Sequence, residues 1–297
     1  MSIRARARRT KLKYAASVMM LYRTREGLVA CPEADVSARL ISTEWDRLAS
    51  MTELESQLAS AYATGRPLAD FSVRDALVPL QRQEVWAAGV TYYRSRDARM
   101  AESADAGGGS FYDRAYAAAR PELFFKANAR TAVGPGDDIS IRADASWNVP
   151  EPELVLFADT RGRLIGYTVG NDVSSRDIEG ENPLYLPQAK VYDASCALGP
   201  GLLVTSAPLA SSTEISLAVS RTDAIEFAGS TTLAELKRSA AELLGCLFRH
   251  NTFAHGCFLM TGTGIVPPDS FTLQAGDVVT ITIAGVGTLS NRVAMAN

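Results

Sequence analysis

Two glutamates separated by a proline, Glu151-Pro152-Glu153, head the apolar run Leu154-Val-Leu-Phe157. In an extended strand, residues i and i+2 share a face, and Pro152 favours extended backbone while withholding one ladder hydrogen bond. The two carboxylates then converge, and they repel each other unless a cation lies between them. Taken alone, such a pair reads more readily as a solvated strand face, since similar pairs recur at Glu53/Glu55 and Asp177/Glu179. A second apolar run, Gly166-Tyr-Thr-Val-Gly170, ends in Asn171-Asp172. A carboxylate at the mouth of a buried strand is costly unless it is paired or bound to a metal, which offers Asp172 as a third oxygen donor. The alternative is an aspartate that caps a local turn. Glu151, Glu153 and Asp172 together suit a hard divalent cation, magnesium or manganese, with positions left for water and substrate. Lys190 closes the segment Asn182-Pro-Leu-Tyr-Leu-Pro-Gln-Ala-Lys190. A lysine there is ordinarily a snorkelling surface residue, but beside a dication its charged form is disfavoured and the neutral amine can act as a base.

The rest of the composition narrows the chemistry. With only His250 and His255, and with Cys31, Cys196, Cys246 and Cys257 showing no C-x-x-C spacing, a zinc site lacks its usual ligands. The same cysteine pattern points to a reducing, cytoplasmic setting. A net charge of −3 supplies no global field for polyanions, so no nucleic-acid partner is expected. No apolar run approaches the ~20 residues that cross a bilayer, and no membrane partner is expected either. The apolar fraction of 47% over 297 residues is ample for one large core or two modest ones.

Elements that would position these groups follow from periodicity and punctuation. Residues 1–13 carry six basic side chains and no acid, and are expected to form a disordered basic extension. Residues 14–80 read as a small N-terminal domain. In it Trp45, Leu48 and Met51 share a helical face, and Thr52-x-x-Glu55 is a capping box ahead of Leu54, Leu58 and Tyr62. Residues 81–297 read as a mostly β domain, with strands expected at 85–90, 122–125, 154–158, 164–170, 214–219 and 278–283. One late helix is expected after a cap at Thr232-x-x-Glu235. The Ala-, Gly- and Ser-rich stretch 101–110 reads as a loop or lid over a site.

The ordered series Val149-Pro-Glu-Pro-Glu-Leu154, Gly166-Tyr-Thr-Val-Gly-Asn-Asp-Val-Ser-Ser-Arg-Asp177, Lys190, Ser195-Cys-Ala-Leu-Gly199, Thr261-Gly-Thr-Gly264, Gly276-Asp-Val278 and Gly285-Val-Gly-Thr-Leu289 resembles the fumarylacetoacetate hydrolase superfamily over about residues 85 to 295. The resemblance implies an α+β fold, a mixed β-roll catalytic domain behind a small N-terminal α/β domain. It also implies a divalent cation, usually magnesium, that chelates a 2-oxo acid, and a homodimer or dimer-based homotetramer. By resemblance Glu151, Glu153 and Asp172 match the metal ligands and Lys190 the active-site lysine, while Arg176 and Thr263 fall on substrate-contacting positions.

Hydrolases of this superfamily carry a His and a Glu that activate water in an Asn-Tyr-x-x-His-x-x-Glu stretch. Here the corresponding stretch is Thr91-Tyr-Tyr-Arg-Ser-Arg-Asp-Ala98, with Ser95 and Ala98 at those two positions. The run Ser174 to Lys190 is similar instead to the branch of 2-keto-3-deoxy-pentonate dehydratases. In that branch the Glu of Pro-Glu-Leu-Phe-Phe-Lys, here Glu122, is an acid or base, with Lys126 nearby as a substrate contact. Tyr92, Arg94, Ser95 and Arg96 are then expected to close over the hydroxyl end of a sugar acid. The resemblance thus implies a magnesium-dependent dehydration of a 2-keto-3-deoxy-pentonate to 2,5-dioxopentanoate. An acylpyruvate-type carbon–carbon hydrolase and a non-catalytic sugar-acid binding protein are the alternatives.

Overall fold

The computed structural model describes residues 18–32, 37–92 and 118–296. Residues 1–13, Arg94, Ser95, Arg96 and the stretch 101–110, all given roles above, lie outside the described residues.

Strand after strand follows the alternation in the sequence. In Val278–Ile283 the side chains of Val279, Ile281 and Ile283 are buried, and in Glu214–Arg221 those of Ile215, Leu217 and Val219. These strands belong to a five-stranded sheet in the order Ala224–Thr232, Glu214–Arg221, Val278–Ile283, Gly287–Met295 and Asp138–Ile141. The larger sheet runs in the order Arg66–Pro67, Arg39–Ile41, Gly27–Cys31, Met19–Thr24, Cys196–Val204, Leu164–Asp172, Pro152–Ala158, Cys257–Met260, Glu84–Gly89 and Glu122–Asn128, with Ala132–Val133 beside Cys196–Val204. Most pairings are antiparallel. Cys257–Met260 and Glu84–Gly89 run parallel, as do Gly287–Met295 and Asp138–Ile141, so both sheets are mixed. Neither path closes on itself among the described residues, and the whole is the mixed β-roll with few helices that was expected.

Pro152–Ala158 is buried along its whole length, which explains its near-continuous apolar run. Leu154 and Leu156 face one core, which the large sheet shares with the small sheet and with the helix Ala240–Leu247. Val155 and Phe157 face a second core, where Phe157 stacks on Phe258 at 4.4 Å and the N-terminal Trp45, Leu48 and Leu58 pack alongside. Strands from both sides of residue 80 lie in the one large sheet, through the pairing of Met19–Thr24 with Cys196–Val204. The boundary expected there therefore crosses continuous β-structure.

Three expected helical segments differ. The helix Leu54–Thr64 forms, but its N-cap is Glu53 at φ 55 with no side-chain cap bond, so the Thr52/Glu55 box is not made. The stretch Trp45–Ser50 is a 3-10 turn rather than an α-helix. Near the C-terminal end, Thr232 closes a strand paired with Glu214, and the α-helix begins only at Ala240. Leu233–Glu235 make a single 3-10 turn after Thr232, with no side-chain cap bond; Lys237 then donates its amide to the Thr91 carbonyl and Tyr92 bridges Leu236, so tertiary pairing stops that turn from growing into an α-helix. The working cap is Ser239, whose Oγ accepts from the Glu242 amide at 3.2 Å. Ser239→Ala should therefore lower the unfolding free energy by about 1 kcal/mol in urea titrations, and Thr232→Ala by less. An equal or larger loss at Thr232 would place the cap there instead.

Candidate functional site

One end of the large sheet collects the chemistry. Antiparallel pairing brings the start of Pro152–Ala158 against the end of Leu164–Asp172, with Glu153 opposite Gly170. Asp172 is itself opposite Cys196. Cys257–Met260 ends beside them and continues into Thr261, Gly262 and Thr263, while Glu84–Gly89 ends opposite the start of Glu122–Asn128. Around this edge is a cleft lined by Gly89, Glu122, Glu151, Glu153, Asp172, Arg176, Glu179, Lys190 and Thr263 among others. Strand ends are where a side chain can leave the ladder and still be held by it.

The carboxylates of Glu151, Glu153 and Asp172 are buried, each offering an oxygen within 4.8 Å of the others. Glu151 precedes the strand proper. Its amide donates to Asn171 Oδ1 at 3.1 Å and its carbonyl accepts from the Asp172 amide at 3.0 Å, so Glu151 and Asp172 are tied through the backbone. Glu153 Oε2 accepts from the Gly262 amide at 2.5 Å. Gly262 has φ +88, and a Cβ on it would lie 2.0 Å from Thr91 Oγ1, so glycine is required both by conformation and by space. Thr91 Oγ1 in turn donates to the Thr261 carbonyl at 2.5 Å, which locks this turn against the strand edge.

Cations surround the triad. Lys190, at the end of the short helix Leu186–Lys190, donates to Glu151 Oε2 at 2.7 Å, to Ser174 Oγ at 2.6 Å and to Asp172 Oδ2 at 3.3 Å. Arg176, first residue of the helix Arg176–Glu181, places Nη2 3.0 Å from Glu151 Oε1. Lys126 reaches Asp172 Oδ1 at 2.5 Å from behind the cleft and also donates to the carbonyls of Val173 and Lys190. Even so, burial first, then the Asp172 and Glu151 charges, push the Glu153 carboxyl well above the usual carboxylate range. Three buried oxygen donors crowded this closely fit a hard divalent cation, and Glu151, Glu153 and Asp172 are the residues that would hold it.

Most of the residues singled out in the sequence meet here. Glu122, Lys190, Arg176 and Thr263 line the cleft. Lys126 is fully buried and lies behind Asp172, so its place is with the carboxylate and the Lys190 backbone rather than at the cleft wall. Its alternation with Glu122 and Phe124 puts it on the correct face of the strand, but one step too deep for a substrate contact. Tyr92 is also fully buried, its ring packed against Gly264, and burial followed by the Glu153 charge holds its phenol above the ordinary range. Sequence reasoning missed Glu179, Ser174 and the Gly262 amide. Glu179 is buried in the cleft three residues after Arg176, a spacing that shares a helix face once the helix is known.

Glu153 fixes the sign of a pH effect. A carboxyl whose folded pKa exceeds its unfolded value binds more protons in the folded state, so stability falls as pH rises from about 4.3 towards the folded value. A cation competes with that proton. In thermal melts, the stabilisation given by magnesium over EDTA should thus grow from about pH 5 to about pH 8. A constant or shrinking gain would remove Glu153 from the cation site.

A family model described as the C-terminal domain of fumarylacetoacetate (FAA) hydrolase matches residues 85–294. A protein of Haloferax volcanii, named as a probable 2-keto-3-deoxyxylonate dehydratase, is 46% identical over 259 residues, covering 86% of this chain and 85% of that one. The 2-dehydro-3-deoxy-D-arabinonate dehydratase of Saccharolobus solfataricus is 40% identical over 227 residues, covering 75% and 76%. A solved structure of 2-keto-3-deoxy-D-arabinonate dehydratase, complexed with magnesium and 2,5-dioxopentanoate, superposes with a TM-score of 0.80 at 29% identity, covering 94% of this chain and 99% of that one. The strand-end carboxylates, the lysine beside them and the match along two thirds of the sequence make this chain a member of the fumarylacetoacetate hydrolase family.

Proposed function

We propose that the protein is a hydro-lyase that dehydrates a 2-keto-3-deoxy-pentonate to 2,5-dioxopentanoate with magnesium. The observation that carries this is the buried triad with the Lys190 amine lying on it and Glu122 on the wall of the same cleft. Its two dehydratase relatives, and the solved dehydratase holding magnesium and 2,5-dioxopentanoate, support the reaction class.

Bound to Glu151, Glu153 and Asp172, the cation supplies Lewis-acid polarisation of the carboxylate and keto end of the substrate. The protein does the rest. Lys190, fixed by Ser174, is the base at C3, where the proton is acidified by the adjacent keto group. Glu122, protonated, gives its proton to the C4 hydroxyl, which departs as water; the assignment of acid and base to these two residues is reversible. The resulting 5-hydroxy-enone becomes the aldehyde as one proton leaves C5 and one its hydroxyl, while one is taken up at C3 and one at C4. Arg176 and Thr263 orient the substrate, so that the C3 proton lies within reach of the base. We read the enzyme as cytoplasmic, in keeping with its four free thiols, and as a homodimer or dimer-based tetramer by family resemblance.

Incubation with magnesium and the stereoisomers of 2-keto-3-deoxy-pentonate should generate an aldehyde, followed by derivatisation. EDTA should stop it and magnesium restore it. Glu153→Ala should abolish turnover, and Lys190→Met should lower kcat by roughly a hundredfold to ten-thousandfold. Pyruvate release from an acylpyruvate without aldehyde from any isomer would favour a hydrolase, and binding without turnover a sugar-acid receptor.

A further inference from the structure

Glu122 is the first residue of its strand and faces Gly89, the last residue of the neighbouring one, across an antiparallel pair. Directly opposed side chains in such a pair project from the same face with Cβ atoms roughly 5 Å apart, and each ordinarily limits the other. Here one of the two is missing, and the other fills its place. A Cβ built on Gly89 would lie 2.0 Å from Glu122 Oε2, 2.6 Å from its Cδ and 3.3 Å from its Cγ. The carboxyl group therefore occupies the volume of the absent side chain, folded over the neighbouring backbone in the cleft that Glu122 and Gly89 line together with Glu151, Glu153 and Asp172.

Gly89 has no left-handed φ to explain it, unlike the next residue, Val90, at φ 53. An alanine would meet no conformational penalty from the left-handed region at position 89, so space alone selects glycine there. From this we propose that Gly89 is a positioning residue for Glu122: it provides the vacancy into which the carboxyl folds, and so decides which rotamer the proton-transfer group holds. The inference rests on the dehydratase reading for its effect on rate, but its steric part stands on the strand pairing and on the place of the Glu122 carboxyl over Gly89.

Wild type, Gly89→Ala, Glu122→Ala and the double variant form the test, each assayed for kcat on the isomer that wild type turns over, for magnesium affinity by calorimetry and for stability in urea. Gly89→Ala should lower kcat by roughly a hundredfold, the scale of a misplaced catalytic group, and leave magnesium affinity unchanged. In the Glu122→Ala background the same alanine should cost neither rate nor stability, because the clash is gone. Equal losses in both backgrounds, or wild-type kcat in Gly89→Ala, would overturn the inference. Should Gly89→Ala fail to fold, a folded double variant supports the proposal and an unfolded one overturns it. Should wild type yield no aldehyde, the dehydratase reading falls, and the coupling of the two positions in unfolding free energy still decides whether Gly89 makes room for Glu122.

Discussion

Charge compensation around three buried carboxylates governs this structure. Glu151, Glu153 and Asp172 sit within 4.8 Å of one another and away from water. Ionised carboxylates so placed carry a desolvation cost that must be offset by counter-charge and hydrogen bonds. The offset comes from every side: Lys190 and Arg176 from short helices, Lys126 from a strand behind Asp172, and the Gly262 amide from a turn. At Glu153 burial, followed by the Asp172 and Glu151 charges, still outweighs this compensation and holds the carboxyl above the usual carboxylate range. A divalent cation held by the three carboxylates would favour the ionised form of each.

The β-roll is the means of delivering these groups. Antiparallel neighbours place chain starts and chain ends at the same edge, so residues distant in sequence arrive side by side without a long loop. Glu153 and Gly262 are 109 positions apart and share a hydrogen bond. Lys126 and Lys190 are 64 apart, yet Lys126 donates to the Lys190 carbonyl. Ser195 accepts from Lys126 and donates to that same carbonyl, so Asp172, Lys126, Ser195 and Lys190 form one buried unit. The Asp172 carboxylate and the Lys190 amine are thereby held in fixed relation by buried groups.

Much of the site was legible because its chemistry is local. The Glu-Pro-Glu spacing, an aspartate ending an apolar strand and a lysine at the end of a short segment each announce themselves within a few residues. What was misread was also local in origin. The Thr232/Glu235 pattern satisfies a capping rule, but pairing of 232 with 214 and of 236 with 92 limits it to one 3-10 turn at Leu233–Glu235, and the α-helix starts only after Ser239. Lys126, a substrate contact by resemblance, lies four residues beyond Glu122 along the strand and pairs with Asp172 from behind the cleft.

By itself, then, the sequence determined which donor atoms the protein owns and on which kind of element each would ride. Hard oxygen ligands, a scarcity of histidine and alternating apolar runs are properties of composition and short-range order, and they survive any arrangement of the chain. Only the tertiary structure decided the surroundings: the ammonium behind Asp172, the amide on Glu153, Glu179 beside the ligands, and the space over Gly89 that Glu122 fills. Each of these is a contact between segments far apart in the chain. Long-range pairing fixes them through register and packing, and neither leaves a mark in the local pattern of residues.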